Sequence, residues 1–102
     1  MGKILTEHIH LAYELGKKVF SKYMTLTQAA SELVHIGMNK KSAEMYVTFY
    51  LCLRRGSVAT RDINLEALNY FLNRILQEET TENFAVAMKS FKSHIDWYEN
   101  EF

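Results

Sequence analysis

Four histidines and one cysteine are the side chains in this chain best suited to hold a transition metal or serve as base and nucleophile. His8 and His10 stand two residues apart, which on a helix sets them about 200° around the axis, so they cannot share an ion. His35 and His94 are isolated in sequence, and a zinc site needs three or four convergent ligands. Cys52 sits among Tyr50, Leu51 and Leu53 and reads as a buried, inert thiol. Arg55, three residues on, is the one cation at close helical spacing that would activate it. Glu78, Glu79 and Glu82 form an acidic turn that capping and solubility explain. His94 and Tyr98 are i, i+4 neighbours and read as a packed or hydrogen-bonded pair. There is no glycine-rich phosphate loop, nucleophile elbow or HExxH. The expectation is a non-enzyme with no catalytic residues, no metal site and no cofactor.

The remaining chemistry is electrostatic. Twelve basic residues cancel twelve acidic ones, so no global field draws the chain to nucleic acid or membrane. The distribution is uneven, however. Residues 1–37 sum to +1, residues 38–62 to +3 and residues 63–102 to −4. The basic segment holds Lys40, Lys41, Arg54, Arg55 and Arg61 against Glu44 and Asp62. Lys40 and Lys41 fall in the first turn of a helix, where cations oppose the macrodipole at a cost of about 0.3–1 kcal/mol. A helix N-terminus carrying two lysines and Ser42 is an anion site, and phosphate is the obvious anion. Solvated surface lysines are the equally open alternative. Arg54 and Arg55 end the same helix, where they favour the dipole and need no ligand. Arg61 lies in a loop, where it can pair with Glu66 or Asp62 or grip phosphate.

Apolar spacing is helical nearly throughout. Leu5, Ile9, Ala12, Gly16, Val19, Phe20 and Tyr23 predict a first helix over roughly residues 5–23. Thr25 and Gln28 form a capping box for a short second helix that turns Leu26, Ala29, Ala30 and Leu33 inward and stops at Gly37. Asn39 caps a third helix with Ala43, Tyr46, Val47, Tyr50 and Leu53 on one side, ended by Gly56. Residues 56–63 have no helical period and read as a loop, with room for a short extended piece. Asn64 caps a fourth helix that buries Leu65, Leu68, Phe71, Leu72, Ile75 and Leu76. Thr80 or Thr81 caps a fifth, with a stripe of Phe84, Met88, Phe91, Ile95, Tyr98 and Phe102.

The fold expected is all-α, a compact orthogonal bundle of about five helices, because no heptad persists. The chain has 102 residues, which predicts one helical domain over 1–102. Apolar residues make up 48%, enough for a core and far from disordered composition. The single cysteine excludes an internal disulfide and suits a cytoplasmic setting. No apolar stretch approaches the roughly 18 residues of a membrane span.

The second and third helices, joined through His35-Ile36-Gly37-Met38-Asn39, look like a helix-turn-helix. In that motif the N-terminal residues of the second helix meet the major groove. Those residues here are Asn39, Lys40, Lys41, Ser42 and Glu44. The turn is long for the strict motif. The aromatic residues that follow, Tyr46, Phe49 and Tyr50, read as core before they read as base-stacking.

Three runs carry a family resemblance. They are GMNKKSAEMYVTFYLCLRRG from Gly37, TRDINLEALNYFLNRI from Thr60 and AMKSFKSHIDWYE from Ala87. Together they resemble a small helical module at the N-terminus of HNH-type and related restriction endonucleases. The likeness rests on Gly37, Met38, Asn39, Ser42, Ala43, Tyr46, Phe49 and Gly56, then Arg61, Ile63, Asn64, Tyr70, Phe71 and Leu72, and finally His94, Ile95, Tyr98 and Glu99. It covers about the C-terminal two-thirds of the chain and is spread out, not one short motif. It implies an accessory DNA-recognition role in a restriction or defence setting, without the nuclease centre itself.

The function expected is therefore a non-catalytic module that contacts double-stranded DNA. Asn39, Lys40, Lys41, Ser42, Arg54, Arg55 and Arg61 would face the duplex, and the acidic last two helices would face away. A nuclease domain or other partner protein, or a homodimer, is a further expected association. The alternative is a protein-interaction module (adapter, inhibitor or dimerisation domain), to which 13% aromatic residues would contribute an interface surplus.

Overall fold

The computed structural model describes residues 4–60 and 63–101. Among them the chain is all-α, with five helices and no strand. These are α1 (Thr6–Phe20), α2 (Leu26–His35), α3 (Lys40–Arg55), α4 (Leu65–Glu78) and α5 (Thr81–Glu101). Contacts cluster into two units, Met1–Leu51 and Cys52–Phe102. No helix among the described residues is long and apolar enough to cross a membrane.

In the first unit α1 ends earlier than the apolar spacing predicts. The amide of Tyr23 donates to the Lys18 carbonyl at 2.9 Å and that of Lys22 to the Val19 carbonyl at 3.0 Å. This is a Schellman closure with Lys22 at φ 67, a position that favours glycine. The chain reverses there, so Tyr23 leaves the stripe and stands 85% exposed. Thr25 and Gln28 form the expected box, with bonds of 2.9 and 3.1 Å between side chains and backbone amides. Gly37 closes α2 at φ 101, with Met38 N–H on the Leu33 carbonyl.

The unit is held by close packing of its aromatic residues. The rings of Tyr13 and Tyr50 meet edge to face at 5.0 Å. A Cβ on Gly16 would lie 2.6 Å from Tyr50 Cδ2, so only glycine allows α1 and the Tyr50 ring this approach. His8 is buried. Its Nδ1 accepts the Leu5 amide at 3.0 Å, which leaves the proton on Nε2 to donate to the Ile36 carbonyl at 3.0 Å. One neutral imidazole thus ties the start of α1 to the end of α2.

In the second unit Gly56 ends α3 at φ 72, as its place after the aromatic helix predicts. Asn64 Oδ1 caps α4 through the amides of Glu66 at 2.7 Å and Ala67 at 3.3 Å. Thr80, not Thr81, caps α5 through the Asn83 amide at 3.1 Å. Helices α4 and α5 pack against each other as a hairpin.

The expected apolar faces of this hairpin are partly wrong. On α4 Ala67, Leu68, Phe71 and Ile75 are buried, but Leu65 and Leu76 are exposed. On α5 Ala87, Ser90 and His94 are buried, whereas Met88, Ile95 and Tyr98 are exposed. Phe102 lies outside the described residues. The reason is what covers α5. Segment 57–59, with Ala59 buried, runs against it and takes hydrogen bonds from Ser90 and His94. Backbone at that distance selects small and polar side chains, so the large apolar stripe is turned aside. His94 also stacks on Trp97, with centroids 5.6 Å apart, and Tyr98 is only its tilted neighbour at 6.5 Å. Of the two readings of the His94–Tyr98 pair, packed or hydrogen-bonded, the ring contact is the packed one, and His94 Nδ1 donates to the Ala59 carbonyl.

Candidate nucleic-acid interface

Residues 36–39 separate α2 from α3, four in all, so the turn is shorter than the sequence predicts and within the length a helix-turn-helix uses. Met38 is buried and anchors the turn in the first unit. Asn39 caps α3 as its residue type predicts. Its Oδ1 accepts the Lys41 amide at 2.9 Å and leans on the Ser42 amide at 3.4 Å. Two of the amides that make a helix N-terminus attractive to an anion are therefore already engaged. What remains for phosphate is side-chain charge. Lys40 and Lys41 are both exposed, and Ser42 is half-buried.

The solvent-facing arc of α3 follows from its buried face. Ala43, Tyr46, Val47, Tyr50 and Leu53 are all buried, as their spacing predicts. Phe49 and Leu51 extend burial over more than half the circumference. The exposed residues Lys41, Thr48 and Arg55 recur at seven-residue spacing, within about 20° per step of one line along the helix. Thr48 is the member of this line that a charge-based reading overlooks, although the period is visible in the sequence.

Arg54 does not belong to this line. Its guanidinium Nη2 lies 3.1 Å from Glu79 Oε1, and its side chain is only 11% exposed. Asn83 Nδ2 donates to the same carboxylate oxygen at 3.2 Å. Arg54 is thus consumed inside the second unit, pairing the end of α3 with the α4–α5 junction, and it is removed from the phosphate-contacting set. Glu79 correspondingly has a partner, where the sequence offered only capping and solubility. Arg61 lies outside the described residues.

Cys52 is half-buried. Burial pushes its thiol above the ordinary value, and the nearby Arg55 guanidinium only partly offsets this. A thiol held in its protonated form is a poor nucleophile, in keeping with an inert role. His8 is buried while His10 is exposed, on opposite sides of α1. Among the described residues no group of three His, Cys, Asp or Glu side chains is placed to hold a metal ion. No protein-family model, curated protein or solved structure matches the chain.

Proposed function

We propose that this protein is a non-catalytic, cytoplasmic module that binds duplex DNA in a restriction or defence setting. The observation that carries this reading is the exposed Lys40–Lys41 pair at the start of α3, straight after a helix-turn-helix-length connection. Two cations at the positive end of a helix are disfavoured in isolation, and a phosphate offsets that cost. Lys41, Thr48 and Arg55 supply a polar line along the same helix. The resemblance to the restriction-endonuclease module, which includes Gly37, Met38, Asn39 and Ser42, supports the same assignment.

Phosphate contacts position a protein on DNA and set its salt response. With Arg54 committed to Glu79, Lys40, Lys41 and Arg55 give a log–log salt slope of about −2 to −3. The test is titration of a labelled duplex with the purified chain at several salt concentrations. Binding that weakens with salt at this slope, and is lost in Lys40→Glu with Lys41→Glu, is the expected result. No binding at low salt, or binding indifferent to the double substitution, refutes the proposal.

A further inference from the structure

His8 stands buried in the first turn of α1, with a backbone group on each ring nitrogen. Nδ1 accepts the Leu5 amide at 3.0 Å, and the Leu5 carbonyl in turn accepts the His8 amide at 3.0 Å. This is the reciprocal pattern of a capping box, with imidazole in the place usually taken by glutamate or glutamine. The Leu5 amide is a donor at every pH, so Nδ1 must offer a lone pair. Nε2 meets the Ile36 carbonyl at 3.0 Å and therefore carries the proton. A Cβ on Gly37 would lie 3.9 Å from Nε2, so the ring stands against the turn that leads into α3. Only the neutral Nε2–H tautomer satisfies both partners.

A second proton has nowhere to go but Nδ1. There it sets N–H against N–H across 3.0 Å. The ring then either pushes the Leu5 amide away or swings round and leaves the Ile36 carbonyl. The fields around it do not offset this loss. The ring lies at the start of α1, which disfavours a cation, and at the end of α2, which favours one, so the two helix ends oppose each other. The carboxylates of the surrounding elements are Glu7 on α1, Glu32 on α2 and Glu44 on α3. The cations are His35 at the end of α2 and Lys40 and Lys41 at the start of α3, while His10 lies exposed on the other side of α1. Among the described residues none of these side chains bonds to the imidazole. The Leu5 bond decides.

We propose that His8 is an acid-released latch within the first unit. Its neutral ring fastens the start of α1 to the α2–α3 turn, and proton uptake opens the fastening. The unfolded chain takes up the same proton without losing a bond, so in acid it binds more protons than the folded chain and stability falls. The latch is closed in alkaline solution and opens as pH falls through the range of about 8 to 5, in which imidazole gains its charge. It is a property of the first unit's fold and does not depend on duplex binding.

The test records ring-nitrogen and amide resonances of the isotope-labelled full chain from about pH 8 to about pH 5. At the upper end His8 is expected to show a bare Nδ1 and a protonated Nε2. As the ring gains its second proton, the amides of Leu5 and Gly37 are expected to shift in step with it. The melting temperature is expected to fall by several degrees over the same range. His8→Gln keeps an acceptor oxygen for the Leu5 amide and an N–H for the Ile36 carbonyl but does not titrate. It is expected to remove about half of that fall or more, since His10, His35 and His94 titrate in both proteins. A proton on Nδ1 at the upper end overturns the proposal, as does a Leu5 amide that stays put while the ring titrates. So does a ring still neutral at the lower end, or an equal fall in the two proteins. The resonances of the unsubstituted chain decide even where His8→Gln does not fold.

Discussion

His94 Nδ1 donates to the carbonyl of Ala59 at 2.8 Å, one helical turn beyond Ser90, whose hydroxyl donates to the carbonyl of Ser57 at 2.6 Å. The two repeats match. Four residues of helix rise about 6 Å, and two residues of extended chain advance about 6.6 Å. A loop without secondary structure is thereby fastened along α5 by two side chains, and its buried carbonyls are satisfied by a helix instead of a strand.

Removing His94 tests that fastening. His94→Leu keeps an apolar body but strands the Ala59 carbonyl, and should cost about 1–3 kcal/mol in urea unfolding. Ser90→Ala should cost about 0.5–1.5 kcal/mol. Because both bonds hold one segment, the double variant should lose less than the two single losses combined. Strict additivity would mean the two bonds act independently.

The Gly16 contact with Tyr50 is a matter of volume. Gly16→Ala improves helix propensity by up to about 1 kcal/mol yet sets a methyl 2.6 Å from a ring carbon. Overpacking should win, with a net loss of roughly 1–3 kcal/mol and a lowered melting temperature. An unchanged or raised melting temperature would show that the Tyr50 ring gives way at no cost.

Lys22 offers the opposite outcome. It holds φ 67 in the closure of α1. Lys22→Gly removes a left-handed penalty and should stabilise the chain by about 0.5–1 kcal/mol, visible as a higher denaturation midpoint at unchanged slope.

Arg54 and Arg55 are adjacent in sequence and different in role. Arg54→Gln leaves Glu79 half-buried without its partner and should cost about 1–3 kcal/mol of stability, with little change in the salt slope of duplex binding. Arg55→Gln should leave stability within about 0.5 kcal/mol and flatten the slope by roughly one unit. The reverse pattern would place Arg54, not Arg55, at the duplex.

Cys52 gives the pH dependence. Burial raises its pKa, so the folded state favours the thiol and the unfolded state gives up its proton first. The associated stability is complete below the ordinary thiol pKa and is lost as pH rises through the higher folded value. Alkylation by iodoacetamide near neutral pH should be slower in the native chain than in urea. It should accelerate as the solution is made alkaline. Equal rates in the two states would contradict the burial.

The parts of this protein legible in its sequence are those fixed by near neighbours. Thr25 with Gln28, Asn39 and Asn64 cap helices because a side chain reaches amides two or three residues on, and Gly37 and Gly56 end helices because a left-handed residue is needed at the next step. The inward face of α3 was equally readable, since one apolar stripe dominates it. The inward faces of α4 and α5 were not. Each carries two adjacent apolar stripes, and periodicity cannot say which one the core takes. That choice fell to segment 57–59, whose carbonyls needed Ser90 and His94, just as Glu79 took Arg54 from across the unit. Local pattern sets where helices begin and end because those bonds span a few residues. Which residues a helix buries or pairs depends on what packs against it, and that is decided only when distant parts of the chain meet.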